Sequence, residues 1–344
     1  MAGIPDTLNT PLCSVCIANY NGIGLIEACI DSVLAQGWGE RVEIIVHDDA
    51  STDGSAERIR QRYSGVHLVA SPENVGFCVA NNRMAQLATG QYLLLLNNDA
   101  ELMPGALDTL LDAARKSSLP AILGLPQYDA QTGELLDIGS LIDPFLNPVP
   151  NLDPQREAVG MVMGACLWIP KKLWEETGGF PEWFGSIGED LYLCCLARLW
   201  GYEVKTPGSS GYRHHVGKSF GGGKISEGKL STSVRRRALS ERNKTFVMAV
   251  TFPGLWMALV LPLHLLILLI EGVLLSVLQG RLAYLRTIYL PAVTALFQHK
   301  AKIRQLRDHA MARRRITASG FFAHVDWMPY KLRMLCRHGL PKLS

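Results

Sequence analysis

From Leu12 to Leu96 short apolar runs alternate with amphipathic stretches. Leu12 to Ala18 (LCSVCIA), Val42 to Val46, Val66 to Ala70 and Tyr92 to Leu96 have strand length and end in polar or turn residues. Between the first two, Ile26, Ile30, Val33 and Leu34 recur at helical spacing, predicting a helix over 23–36 with one buried face, ended by Gly37 and Gly39. Ser51, Thr52 and Asp53 offer caps for a second helix over 56–63, and a third is predicted over 79–88. The order β-α-β-α-β-α-β predicts an α/β fold with a mostly parallel sheet flanked by helices on both faces.

The strand ends share a chemistry. Three of the four deliver Asn, Asp or both: Asn19-Tyr20-Asn21-Gly22, Asp48-Asp49, and Asn97-Asn98-Asp99 with Glu101 close behind. Asn-Asn-Asp is good turn chemistry. It equally places polar ligands at the carboxyl edge of a sheet, where open α/β folds bind substrates, and several such ends together make a concave polar site. Gly22 and Gly24 begin a G-x-G after the first strand, but Glu27 stands where the dinucleotide fingerprint needs its third glycine, so a nicotinamide fold is rejected.

A chain of 344 residues can bury a large core without disulfide staples. Its eight cysteines are scattered and no secretory pattern precedes Leu12, which predicts a reducing setting. Cys13 and Cys16 form a C-x-x-C inside the first strand, where positions three apart face opposite ways; buried thiols are expected rather than a metal site. The net charge of +3 hides an asymmetry. From Arg235 onward 18 lysines and arginines stand against 4 carboxylates, a net of +14; the first 234 residues carry 16 against 27, a net of −11. A basic tail suits nucleic acid or an anionic membrane surface. Its apolar content selects the membrane.

NYNG, DDASTDGS, ENVGF…NN and LLLLNNDAE, in that order and spacing, resemble the family 2 glycosyltransferases of GT-A fold, and especially the rhamnosyltransferase-type members that build bacterial surface polysaccharides. The likeness continues through Met163 to Tyr202 and His214 to Phe220, about the first two thirds of the chain. It implies a GT-A domain over 10–228 and an inverting transfer from a nucleotide-sugar donor. It also implies that Ala18, Asn19 and Tyr20 line the base and ribose, that Asp48 accepts from a pyrimidine N–H, and that Asn74, Gly76, Asn82 and Asn98 approach the donor. A divalent metal, Mg2+ or Mn2+, is implied at Asp99 and Asn97 with His214, or its neighbour His215, as a further ligand. Asn97 replaces an aspartate common in the family, leaving Asp99 as the charged ligand. Asp190 takes the place of the general base, with Glu189 beside it and Trp183 as an acceptor platform; Tyr192 stands where the family often has an acid. A helix-capping role is the alternative for the acidic pair.

The tail is almost wholly apolar from Phe246 to Leu278. Its cleanest run, Gly254 to Ile270, would span about 25 Å as a helix, short of a ~30 Å hydrocarbon core. Arg235, Arg236, Arg237, Arg242 and Lys244 flank one side, and Arg281, Arg286 and a series to Arg315 the other. A single span would set one cluster against the positive-inside rule. A monotopic or re-entrant attachment to an anionic surface is therefore expected for 229–344, on the cytoplasmic side of the cell inner membrane; a hairpin returning through 282–297, a buried core helix and a dimer interface are the alternatives. That setting suits a lipid-linked glycan acceptor and no nucleic acid. Two other functions compete: a processive polysaccharide synthase, whose Q-x-x-R-W element is missing after Gly188-Glu189-Asp190, and a non-catalytic sugar-nucleotide or lipid-binding scaffold.

Overall fold

The computed structural model describes residues 10–215, 222–226 and 229–343. In chain order its first half comprises β1 (Cys13–Asn19), α1 (Ile26–Leu34), β2 (Val42–Asp48), α2 (Ser55–Arg62), β3 (Val66–Ala70), α3 (Phe77–Leu87), β4 (Tyr92–Asn97), β5 (Ala100–Leu102), α4 (Ala106–Lys116), β6 (Ala121–Leu123), β7 (Gln127–Asp129), β8 (Leu135–Asp137), β9 (Ser140–Ile142) and β10 (Pro148–Pro150). There follow β11 (Cys166–Pro170), α5 (Lys171–Thr177), α6 (Glu189–Leu199), β12 (Glu203–Lys205), β13 (Tyr212–His214), β14 (Gly222–Ser226), β15 (Lys229–Thr232), α7 (Val234–Thr251), α8 (Gly254–Leu278), α9 (Leu290–Gln298), α10 (Lys300–Ala312), α11 (Ala318–Phe321), α12 (Tyr330–His338) and β16 (Lys342–Leu343).

The main sheet runs β12-β6-β11-β4-β1-β2-β3. Strands β4, β1, β2 and β3 are parallel, as their alternation with helices demands, and β11 enters antiparallel between β4 and β6. Both faces are covered, so the central strands are apolar throughout: Leu93, Leu94 and Leu95 are all fully buried. Alternation sends Cys13 to the face packed by α1, α2 and α4, and Cys16 to the face packed by α3, α6 and α7; both are free thiols. A smaller sheet, β5-β13-β7-β8, sits at the carboxyl edge and brings His214 alongside Ala100.

The division expected at residue 228 is not visible in the packing. Phe246, Val247, Met248 and Val250 of α7 are fully buried, and they share one core with Ile45, Leu95, Leu193, Ile303 and Phe321. The charges on α7 are absorbed by pairing: Glu241 lies between Lys244 (2.8 Å) and Lys331 (2.7 Å) and also meets Arg237, so the helix buries both its apolar and its ionic groups.

The apolar stretch that follows is longer than the run from Gly254 to Ile270. Helix α8 continues to Leu278, about 37 Å at 1.5 Å per residue. It passes Glu271 because Arg237, Lys331 and the Tyr289 hydroxyl take that carboxylate. Among the described residues it is the one helix long and apolar enough to cross a membrane, by length and composition. One face, with His264, Leu268 and Leu275, is packed; Leu255, Leu259, Leu266, Leu274 and Val277 on the rest are exposed. The segment 282–297 packs Ile288, Tyr289 and Ala292 into the body alongside α8.

Candidate active site

A cleft of about 1640 Å³ opens along the carboxyl ends of β1 and β4 and extends beneath α7 to Tyr330 and Met334 on α12. Ala18, Asn19, Tyr20, Asn74, Gly76, Asn97, Asn98, Asp99, Trp183, Glu189, Asp190 and His214 all line it.

On the donor side Asn19 is the hub. Its amide donates to Asp48 Oδ1 (2.8 Å) and Ser55 Oγ (2.9 Å), and its oxygen accepts from Asn98 Nδ2 (2.9 Å). A Cβ at Gly22 would lie 2.3 Å from Asn19 Oδ1 and 2.4 Å from Asn98 Nδ2, so the NYNG glycine leaves room for this amide pair. Gly76 has φ 86° and ψ 165°, a conformation essentially reserved for glycine, and its N–H is held by Asp49.

Two of the expected donor residues are engaged by protein groups and do not line the cleft. Asp48 ends β2 in register with Asn19, and its carboxylate is spent on the Asn19 amide and the Ser51 N–H (3.1 Å), away from the cleft. Its neighbour Asp49, on the opposite side by strand alternation, lines the cleft and accepts from Val75 N (2.7 Å) and Gly76 N (2.9 Å). Asn82 also does not reach the cleft: its amide brackets Phe180, accepting from the N–H (3.0 Å) and donating to the carbonyl (2.9 Å), which pins the 178–184 loop to α3.

At the expected metal position, His214 Nε2 lies 3.0 Å from Asp99 Oδ1, its Nδ1 meets Gln127 Nε2 at 3.2 Å, and His215 turns to Glu101 instead. Asn97 Oδ1 is buried with no hydrogen-bond partner. A carboxylate, an imidazole and an orphaned amide oxygen suit a hard divalent cation, although no three His, Cys, Asp or Glu side chains cluster among the described residues. Residues 216–220, the rest of the stretch that begins at His214 in the likeness, lie outside the described residues.

The acidic pair opens α6 after Gly188 (φ 91°). Asp190 accepts from Gly164 N (3.0 Å) through Oδ2 and from Leu191 N (2.7 Å) through Oδ1, whereas Glu189 Oε2 is buried without a partner. Burial raises both carboxyl pKa values; the Asp190 charge raises Glu189 further, and Arg236 opposes the rise in both. Tyr192, one turn on, is fully buried in the core. Trp183 stacks on His299 at 5.0 Å and leans on Phe246, so the indole is held by the C-terminal helices while lining the cleft.

Three residues around the acidic pair escaped the sequence reading. The Asn243 amide donates to the carbonyls of Phe184, Ser186 and Ile187 (3.1, 2.9 and 2.7 Å), and Arg242 also holds Phe184 O (2.8 Å). This grip maintains Ile187 at φ 67°, which a β-branched residue avoids, and sets the approach to Glu189. Arg236 faces the acidic pair from α7. All three sit in a basic run that reads as membrane-facing, and no spacing in it separates buried from exposed positions.

Comparison with known proteins agrees with this architecture. The family described as Glycosyl transferase family 2 matches residues 14–156. The N-acetylglucosaminyl-diphospho-decaprenol L-rhamnosyltransferase of Mycobacterium tuberculosis is 29% identical over 211 residues, covering 52% of this chain and 68% of that protein. A mannosyltransferase from Pyrobaculum calidifontis, solved with GDP-Man and Mn2+, superposes with a TM-score of 0.52 at 20% identity over 90% of this chain and 88% of that one. GalNAc-T7, solved with UDP, GalNAc and Mn2+, gives 0.63 at 16% identity over 97% and 60%. These matches make the chain similar to family 2 glycosyltransferases, and the superposed structures share its GT-A fold, with the doubly covered sheet and the polar cleft at its carboxyl edge.

Proposed function

We propose that this glycosyltransferase moves a sugar, rhamnose or one similar, from a nucleoside-diphosphate donor to a lipid-linked, growing cell-surface glycan by a single inverting displacement. The observation that carries the proposal is the unequal acidic pair in the cleft. Asp190 receives two backbone N–H bonds that stabilise its anion; Glu189 is buried with one oxygen unpartnered. When two interacting carboxyls share one proton, the better-solvated partner stays ionised. Glu189 therefore holds the shared proton and Asp190 is the available base.

Asp190 takes the proton from the acceptor hydroxyl as that oxygen bonds to the anomeric carbon, and the bond from that carbon to the donor diphosphate breaks. Asn19, Asn98, Asp49 and the Gly76 backbone form the wall against which the nucleotide lies. Asp99, His214 and Asn97 would hold a Mg2+ or Mn2+ ion, which when bound neutralises the charge growing on the departing diphosphate. Trp183 offers an apolar face to the acceptor sugar. The lipid-linked acceptor is supported by the relative that is named for a diphospho-decaprenol substrate.

The exposed face of α8 and the basic residues on both sides of it support peripheral attachment to an anionic membrane surface, with the catalytic body on the cytoplasmic side. The stereochemistry of the product tests the mechanism. NMR of the new linkage should show the anomeric configuration opposite to that of the donor; retention would overturn direct displacement with Asp190 as base.

A further inference from the structure

The cleft does not end at the acidic pair. It continues beneath α7, where Arg235, Arg236, Arg242 and Lys244 line it, and reaches Tyr330 and Met334 on α12. Two of these cations are already committed. Arg242 binds Phe184 O and Asn243 Oδ1, and the Lys244 ammonium is held by Glu241 (2.8 Å) and Asn147 Oδ1 (2.6 Å). Arg236 differs: its guanidinium makes no hydrogen bond or close ion pair among the described residues, and it is only partly exposed. Burial lowers its pKa while the more distant Asp190 and Glu189 charges raise it, the signature of a cation held out of water without a contact partner.

Its surroundings indicate what would fill that gap. Arg237, the next residue, pairs with Glu271 of α8, so Arg236 stands one residue from the contact between α7 and the exposed apolar helix. Lys331 on α12 pairs with the same carboxylate (2.7 Å), and α12 exposes Leu332 and Leu335. A ligand lying here would have its polar group at an unpaired guanidinium, its reacting end toward Asp190 and its other end toward apolar surface. Arg binds phosphate oxygens in a planar, paired geometry suited to such a group.

We infer that Arg236 is the diphosphate subsite for a polyprenyl-diphosphate acceptor, seating the headgroup between the base and the membrane face of α8 and α12. The inference builds on the proposed lipid-linked acceptor and adds which side chain recognises its charge. It assigns to Arg236 the acceptor diphosphate rather than that of the donor.

The test uses the full chain in detergent, with farnesyl diphosphate and farnesol as probes and nucleoside diphosphates with Mn2+ as the donor control. Wild type should bind farnesyl diphosphate well above farnesol. Arg236→Ala should lose roughly tenfold to a hundredfold of that affinity, the scale of a lost charge-assisted contact, and Arg236→Lys should recover part of it. Nucleoside diphosphate affinity should be unchanged in both variants. Equal farnesyl diphosphate affinity in wild type and Arg236→Ala, or a parallel loss of nucleotide affinity, would overturn the inference, as would a variant that shifts only the pH profile of transfer. Binding through Arg236 with no transfer to any prenyl-diphosphate sugar would support the subsite and refute the lipid-linked acceptor reading instead.

Discussion

Replacing Asp190 with Asn separates a catalytic from a structural role for this carboxylate. The structure sets the stability side. Asn keeps one acceptor oxygen for either Gly164 N or Leu191 N and turns an NH2 toward the other, leaving one N–H unpaired at a cost of ~1–3 kcal/mol. Against that, the substitution removes a carboxylate whose ionisation burial already disfavours, so the net change is on the order of 1 kcal/mol and the fold survives. The catalytic side is larger. Loss of a positioned base costs about 10²–10⁴ in rate, equivalent to about 2.7–5.4 kcal/mol of barrier. Nucleotide release measured with donor and acceptor present checks the rate and a thermal melt the stability, while calorimetric donor binding should be unchanged. A folded Asp190→Asn enzyme that transfers sugar at the wild-type rate would refute the assignment.

The remaining predictions address the neighbours of that residue and the tail. Because burial raises the pKa of both carboxyls, transfer should fall as pH drops through a limb above the ordinary carboxylate range; Glu189→Gln keeps the neutral state that Glu189 has while Asp190 ionises, so that limb should stay in place, and a limb moved to lower pH would show that Glu189 is charged beside the base. The raised pKa also means that the folded state loses stability as pH rises through it, so Glu189→Gln should raise Tm at alkaline pH relative to wild type, and no gain would contradict the burial argument. EDTA or His214→Ala should depress transfer; full activity after metal removal and in the variant would show that Asp99 and His214 serve another purpose. Glu241→Gln leaves Lys244, Lys331 and Arg237 without their shared counter-charge and should cost ~3–5 kcal/mol by chemical denaturation, whereas a loss under about 1 kcal/mol would place the network outside the stabilising core. Gln at Leu255, Leu259 and Leu266 should weaken sedimentation with anionic vesicles by roughly a hundredfold or more, at ~1.5–3 kcal/mol per fully buried leucine; unchanged sedimentation would contradict membrane docking through α8.

How much was legible depended on whether the signal was local. Strands β1 to β4 were readable because each apolar run stops at residues that cannot continue it, and the structure starts or ends them within two residues of expectation. The strand-end asparagines and aspartates gathered in one cleft because parallel strands put their carboxyl ends on the same edge. Which of Asp48 and Asp49 faces that cleft was not readable: two adjacent carboxylates differ only in strand alternation, and the buried Asn19 amide takes the first. The insertion of β11 between β4 and β6 depends on long-range pairing with no local mark. The packing of the tail has no local mark for a related reason. Arg237 and Lys244 read as membrane-facing charge, yet both pair with Glu241 inside the core, so Phe246 to Phe252 belongs to the catalytic body and deletion from Phe246 would remove part of its core.

The most direct test of the account is nucleotide release from a panel of nucleoside-diphosphate sugars, measured with and without a prenyl-diphosphate-linked sugar. One donor should release its nucleotide at a rate that depends on that acceptor, with the donor sugar recovered on the lipid. Release indifferent to the acceptor for every donor, with only free sugar formed, would contradict it.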